Sequence, residues 1–247
     1  RFRTLVGIGA YASTYVAIVA TNNTKNCLSS VYRIPAIHIS AKMILTNASP
    51  LGPYRGAGRP EAIYMIERLI DDAARITGID RVELRRRNLI PPDAMPYAAP
   101  SGQRYDSGEF EIILDKALAL ADWNGFPARR EHSAREGRLR GIGICCFLEV
   151  SGGAPLTESA DLRVLADGRV IVRTGAQGMG QGLATTQALL TARLLGLDAS
   201  RVGVLQGDSG EVPAGIATVA SRSTAMANGS DCSDSLPAPS VATAQKR

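Results

Sequence analysis

Residues 54–62 read YRGAGRPEA. An arginine, two glycines one residue apart and a Pro-Glu pair stand in front of a long amphipathic run. Proline is accepted in a first helical turn, where its missing N–H leaves nothing unsatisfied, and Glu61 complements the positive helix end. Ile63, Ile66, Leu69, Ile70 and Ala73 then recur at helical spacing, and Gly78 closes the run. The stretch therefore reads as a glycine-bearing turn that feeds a helix over 60–78. Glycine lets the backbone take positive φ and approach a ligand closely. The first N–H groups of the helix have no partner within it. That chemistry suits an oxo group or an anion. The six-residue glycine spacing of a dinucleotide fingerprint is absent, and Gly-x-Gly alone equally describes an ordinary strand–helix turn.

Upstream, 3–20 reads as a strand followed by helical or irregular chain. Residues 31–47 read as extended, with Pro35 confining the first part to an edge and Ile37, Ile39, Ala41 and Met43 alternating. Downstream, a short helix over 80–88 carries Arg85, Arg86 and Arg87, expected as a solvated face near a helix C-terminus. A Pro/Gly/Ser-rich connector over 90–108 leads to a helix with Phe110, Ile113, Leu114, Ala117 and Leu118 on one face. Residues 124–140 are polar and arginine-rich. An apolar strand is expected over 140–150, and a β-hairpin around Asp167-Gly168 within 160–175. A helix over 181–195, with Leu183, Gln187, Leu190 and Leu194 on one face, precedes a strand over 201–208. This order predicts an α+β chain in two lobes, 1–125 and 140–230, joined by a linker at 126–139. The tail, 231–247, lacks periodicity and reads as disordered or non-native.

Two more loops carry chemistry. TGAQGMGQGLATT (174–186) opens a helix, with Gly178, Gly180 and Gly182 alternating with Gln177, Met179 and Gln181. An amide both donates and accepts, which suits the edge of a heterocycle. The lysine of a nucleoside-triphosphate loop is missing. ATVASRSTAMANG (217–229) sets Ser221 and Ser223 beside Arg222, short hydroxyls next to a bidentate cation, which is what a phosphate requires. Each loop also has an ordinary reading, as a turn or a cap.

Composition narrows the classes. Net charge is +5, but aromatics are only 5% and are not interleaved with the arginines, so no nucleic-acid surface is read. Cys27, Cys145, Cys146 and Cys232 have no paired spacing, and with two histidines they suggest neither a zinc nor an iron–sulfur site. The thiols read as reduced and the protein as cytoplasmic. No signal peptide and no transmembrane run are read.

In this order and at these distances, the three loops resemble the molybdenum-binding large subunits of the xanthine oxidase family, and within it the aerobic carbon monoxide dehydrogenase large-subunit branch. YRGAGRPEA, IERLIDDAARITGID (66–80), ELRRRNLIPPDAMPY (83–97), YDSGEFE (105–111), GMGQGL (178–183) and ASRST (220–224) carry the resemblance, which runs from about residue 2 to 230. It implies a partial two-lobed molybdopterin-binding architecture. Residues 1–125 would be the C-terminal part of one molybdenum-cofactor-binding domain and 140–230 the N-terminal part of a second. It implies molybdenum held by the dithiolene sulfurs of a pterin, without protein ligands. It implies that Arg55, Gly56 and Ala57 lie against the metal, that Met179, Gly180 and Gln181 hold the pterin, and that Ser221, Arg222 and Ser223 hold the phosphate of a cytosine dinucleotide form. The implied activity is hydroxylation of an aldehyde or N-heterocycle with oxygen from water. Electrons would pass to an iron–sulfur (2Fe–2S) small subunit and an FAD medium subunit, in a dimer of heterotrimers.

Two departures follow. Carbon monoxide oxidisers of this branch place a copper-bearing cysteine directly after the loop arginine, and here that residue is Gly56, which offers no soft ligand. The family's general base is a glutamate in a late Gly-Glu segment that this sequence does not contain. No catalytic residue is assigned, and neither Glu61 nor Glu149 is promoted to the role. The chain thus reads as a partial subunit, expected to be inactive alone. The other class left open is a non-catalytic binding or assembly module, or a truncated pseudo-subunit.

Overall fold

A computed structural model describes residues 1–149, 159–212, 215, 218–224 and 244–245. They form two compact units that divide between Glu149 and Val150.

In the first unit, β1 (Phe2–Gly9) lies parallel to β2 (Ile39–Leu45), with Phe2 opposite Ile39 and Val6 opposite Met43. Parallel strands need a long crossover. Here it contains a π-helical turn (Ile18–Asn23) that runs into the short α1 (Thr24–Cys27). The helix foreseen after the glycine turn is α2 (Arg59–Thr77), which starts on Gly58 and stops on Gly78 at φ +72. Its buried face is Ala62, Ile63, Ile66 and Ala74, with Glu67 among them, while Leu69 faces out. α3 (Arg81–Asn88) is capped by Asp80, whose carboxylate accepts from the N–H groups of Val82 and Glu83 at 2.8 and 3.0 Å. Such a cap contributes about 1 kcal/mol. The connector holds a hairpin of β3 (Tyr97–Ala98) and β4 (Arg104–Tyr105). α4 (Phe110–Leu120) turns Leu114 onto a core with Val31, Tyr32, Ile66, Val82 and Leu89.

Three expectations for this unit change. The arginine triplet is not one solvated face, because Arg85 is 0% exposed. Its charge enters the core paired: Nε and Nη2 donate to Glu67 at 3.0 and 2.8 Å, and Asp71 lies 2.9 Å away. The Tyr32 hydroxyl donates to the same Glu67 at 2.5 Å. Burial pushes that phenol's pKa well up, so it remains a donor. Second, residues 126–135 of the expected linker form a helix, α5 (Phe126–Arg135). Pro127 sits in its first turn and Glu131 pairs with Arg135 one turn on, which lets a polar stretch stand as a solvent-facing helix. Third, 140–149 forms no strand. Its alternation is real, with Ile144, Cys146 and Leu148 packed on the core. Its carbonyls, however, are taken by side chains: Ile142 O by Arg81 (3.1 Å), Ile144 O by Arg85 (3.4 Å) and Cys146 O by Ser30 (3.0 Å). With those groups satisfied, no partner strand is needed.

In the second unit, β5 (Ser159–Val164) and β6 (Val170–Thr174) pair antiparallel around a turn with Gly168 at φ +77. α6 (Leu183–Leu195) carries the chain to β7 (Val202–Gln206), parallel to β6 with Val170 opposite Val202. The sheet order is β7-β6-β5-β8, the last being Ala244–Gln245. Val170, Val172, Val202 and Ala192 close the core. α6 buries Leu183, Gln187, Thr191 and Ala192, and Leu194 faces out. Among the described residues no helix is long and apolar enough to cross a membrane.

Candidate functional site

The opening loop belongs to the first unit. Arg55 is exposed and Gly58 is buried. Three successive residues are left-handed: Gly56 at φ +100, Ala57 at +46 and Gly58 at +97. For alanine that conformation costs about 1–2 kcal/mol, so the surroundings must hold it. Ala57 N–H donates to Tyr54 O at 2.6 Å and Arg59 N–H to Gly56 O at 3.1 Å. Arg59 also sends a guanidinium N–H to Gly56 O at 3.3 Å and pairs with Glu149 at 2.9 Å. Glu149 is thus an ion-pair partner of the loop's own arginine, and Glu61 is exposed in the first turn of α2.

The other two loops belong to the second unit, and its topology brings them together. They leave the carboxyl ends of β6 and β7, adjacent parallel strands, the end where open α/β sheets place ligands. Thr218 joins them: its hydroxyl accepts from Gln177 N–H at 2.9 Å and donates to Gln177 O at 2.5 Å. Gln206 Oε1 accepts from Gly178 N–H at 3.2 Å. A Cβ on Gly215 would lie 2.4 Å from Gly175 Cα, so only glycine fits there. In the second loop Gly180 and Gly182 are left-handed at φ +95 and +77. Gln181 turns back, its Oε1 accepting from Met179 N–H at 2.5 Å, and Met179 is 74% exposed. In the third loop Ala220 and Ser221 are left-handed at φ +57 and +51. Ser221 is exposed, while Arg222 is 0% and Ser223 6% exposed.

Met179, Gly180 and Gln181 therefore share one edge of the second unit with Ser221, Arg222 and Ser223. Arg55, Gly56 and Ala57 form a separate loop in the first. Thr218, Gln206, Asn23, Thr24 and Arg59 support these loops and were not singled out from sequence. Thr218 lies within ATVASRST, but nothing local marks it, because its partner is 41 residues away.

The residues fit a cofactor with an anionic tail. The Arg222 side chain is buried, and so is the hydroxyl of the next residue, Ser223 Oγ, which has no hydrogen-bond partner among the described residues. An unsatisfied buried polar group costs about 1–3 kcal/mol, which a phosphate oxygen would remove. Among the described residues no three His, Cys, Asp or Glu side chains converge to hold a metal ion.

Known proteins resemble the chain along most of its length. Two profiles described as molybdopterin cofactor-binding domain match residues 1–89 and 116–230. The carbon monoxide dehydrogenase large chain of Hydrogenophaga pseudoflava is 36% identical over 214 residues, 81% of this chain and 27% of that protein. The nicotine 6-hydroxylase large subunit of Paenarthrobacter nicotinovorans is 31% identical over 81% of this chain and 26% of its own length. Quinoline 2-oxidoreductase from Pseudomonas putida 86 superimposes with a TM-score of 0.80 at 29% identity, covering 91% of this chain and 30% of that one. Reconstituted CO dehydrogenase from Oligotropha carboxidovorans gives 0.78 at 30% identity, covering 92% and 31%. The chain thus spans about a quarter to a third of the length of the relatives it matches.

Proposed function

Because this chain belongs to the molybdopterin-cofactor-binding domains of the xanthine oxidase family, we propose that it serves in the large subunit of a molybdenum-dependent hydroxylase. Ser221, Arg222 and Ser223 would hold the phosphate of a cytosine dinucleotide form of the cofactor. Met179, Gly180 and Gln181 would hold the pterin, and the backbone of Arg55, Gly56 and Ala57 would face the metal. The cofactor, when bound, supplies the two-electron oxidising chemistry. This chain supplies fixed donors and a dry guanidinium, which bind and orient the cofactor without reorganising. The observation that carries the reading is the junction of the second and third loops at the ends of β6 and β7, with Arg222 and Ser223 buried behind it.

The substrate class proposed is an aldehyde or an N-heterocycle. Gly56 provides no thiolate for copper, which argues against carbon monoxide. The electrons would leave for 2Fe–2S clusters and FAD on partner subunits.

The protein purified with its partner subunits, from a host that assembles the cofactor, is expected to carry molybdenum and to release an equal amount of CMP on acid hydrolysis. Arg222→Met is expected to lower both by about tenfold or more, the loss of charge-assisted bonds worth about 1.5–3 kcal/mol. A wild-type complex without molybdenum or nucleotide overturns the reading. Molybdenum without CMP overturns the dinucleotide form alone.

A further inference from the structure

The three carbonyls of the left-handed triplet are all engaged, and two of them by side chains from one place. Ala57 O accepts from Asn23 Nδ2 at 2.8 Å, and Gly58 O accepts from Thr24 Oγ1 at 3.1 Å. Asn23 ends the π-helical turn and Thr24 begins α1. A π-turn bonds five residues back rather than four, and such turns occur frequently at functional sites. Thr24 Oγ1 also meets Val19 O, five residues earlier, at 3.0 Å. The loop rests directly on that carbonyl: a Cβ on Gly58 would lie 2.2 Å from Val19 O.

The peptide unit between Ala57 and Gly58 shows what this achieves. In a trans peptide the C=O and N–H point in opposite directions. Asn23 clamps the C=O. The N–H, that of Gly58, therefore points away from the clamp, and among the described residues it donates to no backbone acceptor. The first N–H groups at a helix N-terminus have no partner within the helix, and Gly58 stands directly before α2. Its N–H is fixed in direction by a side chain 34 residues away.

We propose that the π-helical turn is a bracket for the loop at 55–58, and that Asn23 and Thr24 are positioning residues that aim the Gly58 N–H before any cofactor arrives. The purpose of the bracket rests on the proposed function, but its existence does not. It is testable on the full 247-residue chain without cofactor. Trypsin can cut after Arg55, which is exposed, whereas the Arg59–Pro60 bond resists it. A held loop must open locally before it is cut, so the cleavage rate reads the bracket.

Asn23→Asp keeps the shape and removes the donor, Thr24→Val removes the hydroxyl, and Thr24→Ser keeps it. The first two are expected to speed cleavage after Arg55 about fivefold each, the loss of one ordinary hydrogen bond. Thr24→Ser is expected to cleave at the wild-type rate. Cleavage after Arg163, in the second unit, and the emission of Trp123 are expected to stay unchanged. Equal Arg55 cleavage in wild type, Asn23→Asp and Thr24→Val overturns the bracket. So does a rise accompanied by altered Trp123 emission, which would mean the whole first unit had loosened. Molybdenum and CMP content of the assembled complex tests the proposed function separately, so either idea can fail alone.

Discussion

Gly58 and Gly180 have nearly the same backbone angle, φ +97 and +95, in loops proposed to serve the same cofactor, yet their surroundings are opposite. Gly58 is buried, with Val19 O where a side chain would begin. Gly180 has nothing within 4 Å of that point and sits beside the exposed Met179. The first loop owes its shape to the side chains on its carbonyls, distant Asn23 and Thr24 on those of Ala57 and Gly58 and nearby Arg59 on that of Gly56. The second owes its place to topology, as the outlet of a parallel strand, and is held mainly at its root by Thr218 and Gln206. One loop is therefore held along its length by the protein itself, and the other is held at its root and exposes its tip. Left-handed backbone alone does not say which kind of loop a glycine serves.

The largest effect should come from undermining the first unit. Glu67→Ala leaves Arg85 buried with only Asp71 as a charged partner and strips Tyr32 of its acceptor. Breaking a buried pair costs about 3–5 kcal/mol. The expected outcome is a lower urea midpoint, followed by Trp123, the single tryptophan, which lies under the Arg81 guanidinium at 4.7 Å. An unchanged midpoint would mean that the footing of the first loop is not this cluster.

The glycine pair sharpens the contrast directly. Gly58→Ala meets both the left-handed penalty of about 1–2 kcal/mol and an overpacking cost of about 1–3 kcal/mol. Gly180→Ala meets only the first. Thermal unfolding of the two variants should therefore separate them, Gly58→Ala being the more damaging. Equal losses would refute the idea that the two loops are supported differently.

Much of this was legible in the sequence. Pro60 and Gly78 bracket α2, Asp167-Gly168 turns the hairpin, and the periodicity of 181–195 announces α6, because each signal is local. The proposed site residues were read from local motifs, and those motifs do lie on loops that end strands or begin helices. What was missed depends on partners far along the chain. Nothing near Arg85 distinguishes it from Arg86, and it is buried only because Glu67, 18 residues earlier, waits in the core. The stretch at 140–149 alternates like a strand, but Arg81, Arg85 and Ser30 replace the neighbouring strand. Asn23 and Thr218 look like any polar loop residue until the fold delivers a backbone group to each.

A smaller effect tests the second loop's root. Thr218→Val removes both bonds to Gln177 while keeping the branched shape, and one net hydrogen bond is worth about 0.5–1.5 kcal/mol. A modest fall in melting temperature is expected, with faster hydrogen exchange at Gln177 and no change in Arg55 cleavage. A change at Arg55 would show that the two loops are not held independently.

The smallest effect carries a sign that separates strain from ordinary turn geometry. Ala57 is the middle of the left-handed triplet and the only one of the three that pays a steric penalty there. Replacing it with glycine relieves about 1–2 kcal/mol in the folded loop. Against this, glycine loosens the unfolded chain, which costs about 0.4–1 kcal/mol. The Asn23 bond is to the backbone of residue 57 and survives the change. The balance favours glycine, so Ala57→Gly should raise stability slightly, by about 0.5 kcal/mol, in urea unfolding followed by Trp123. The Asn23→Asp, Ala57→Gly double variant is the sharper case. If the bracket is what holds alanine in place, loosening it lets the loop relax, and the gain from glycine should shrink. An undiminished gain would mean that the strain is set within the turn itself, by the Tyr54 and Gly56 carbonyls, and that the π-helical turn only receives a shape made elsewhere.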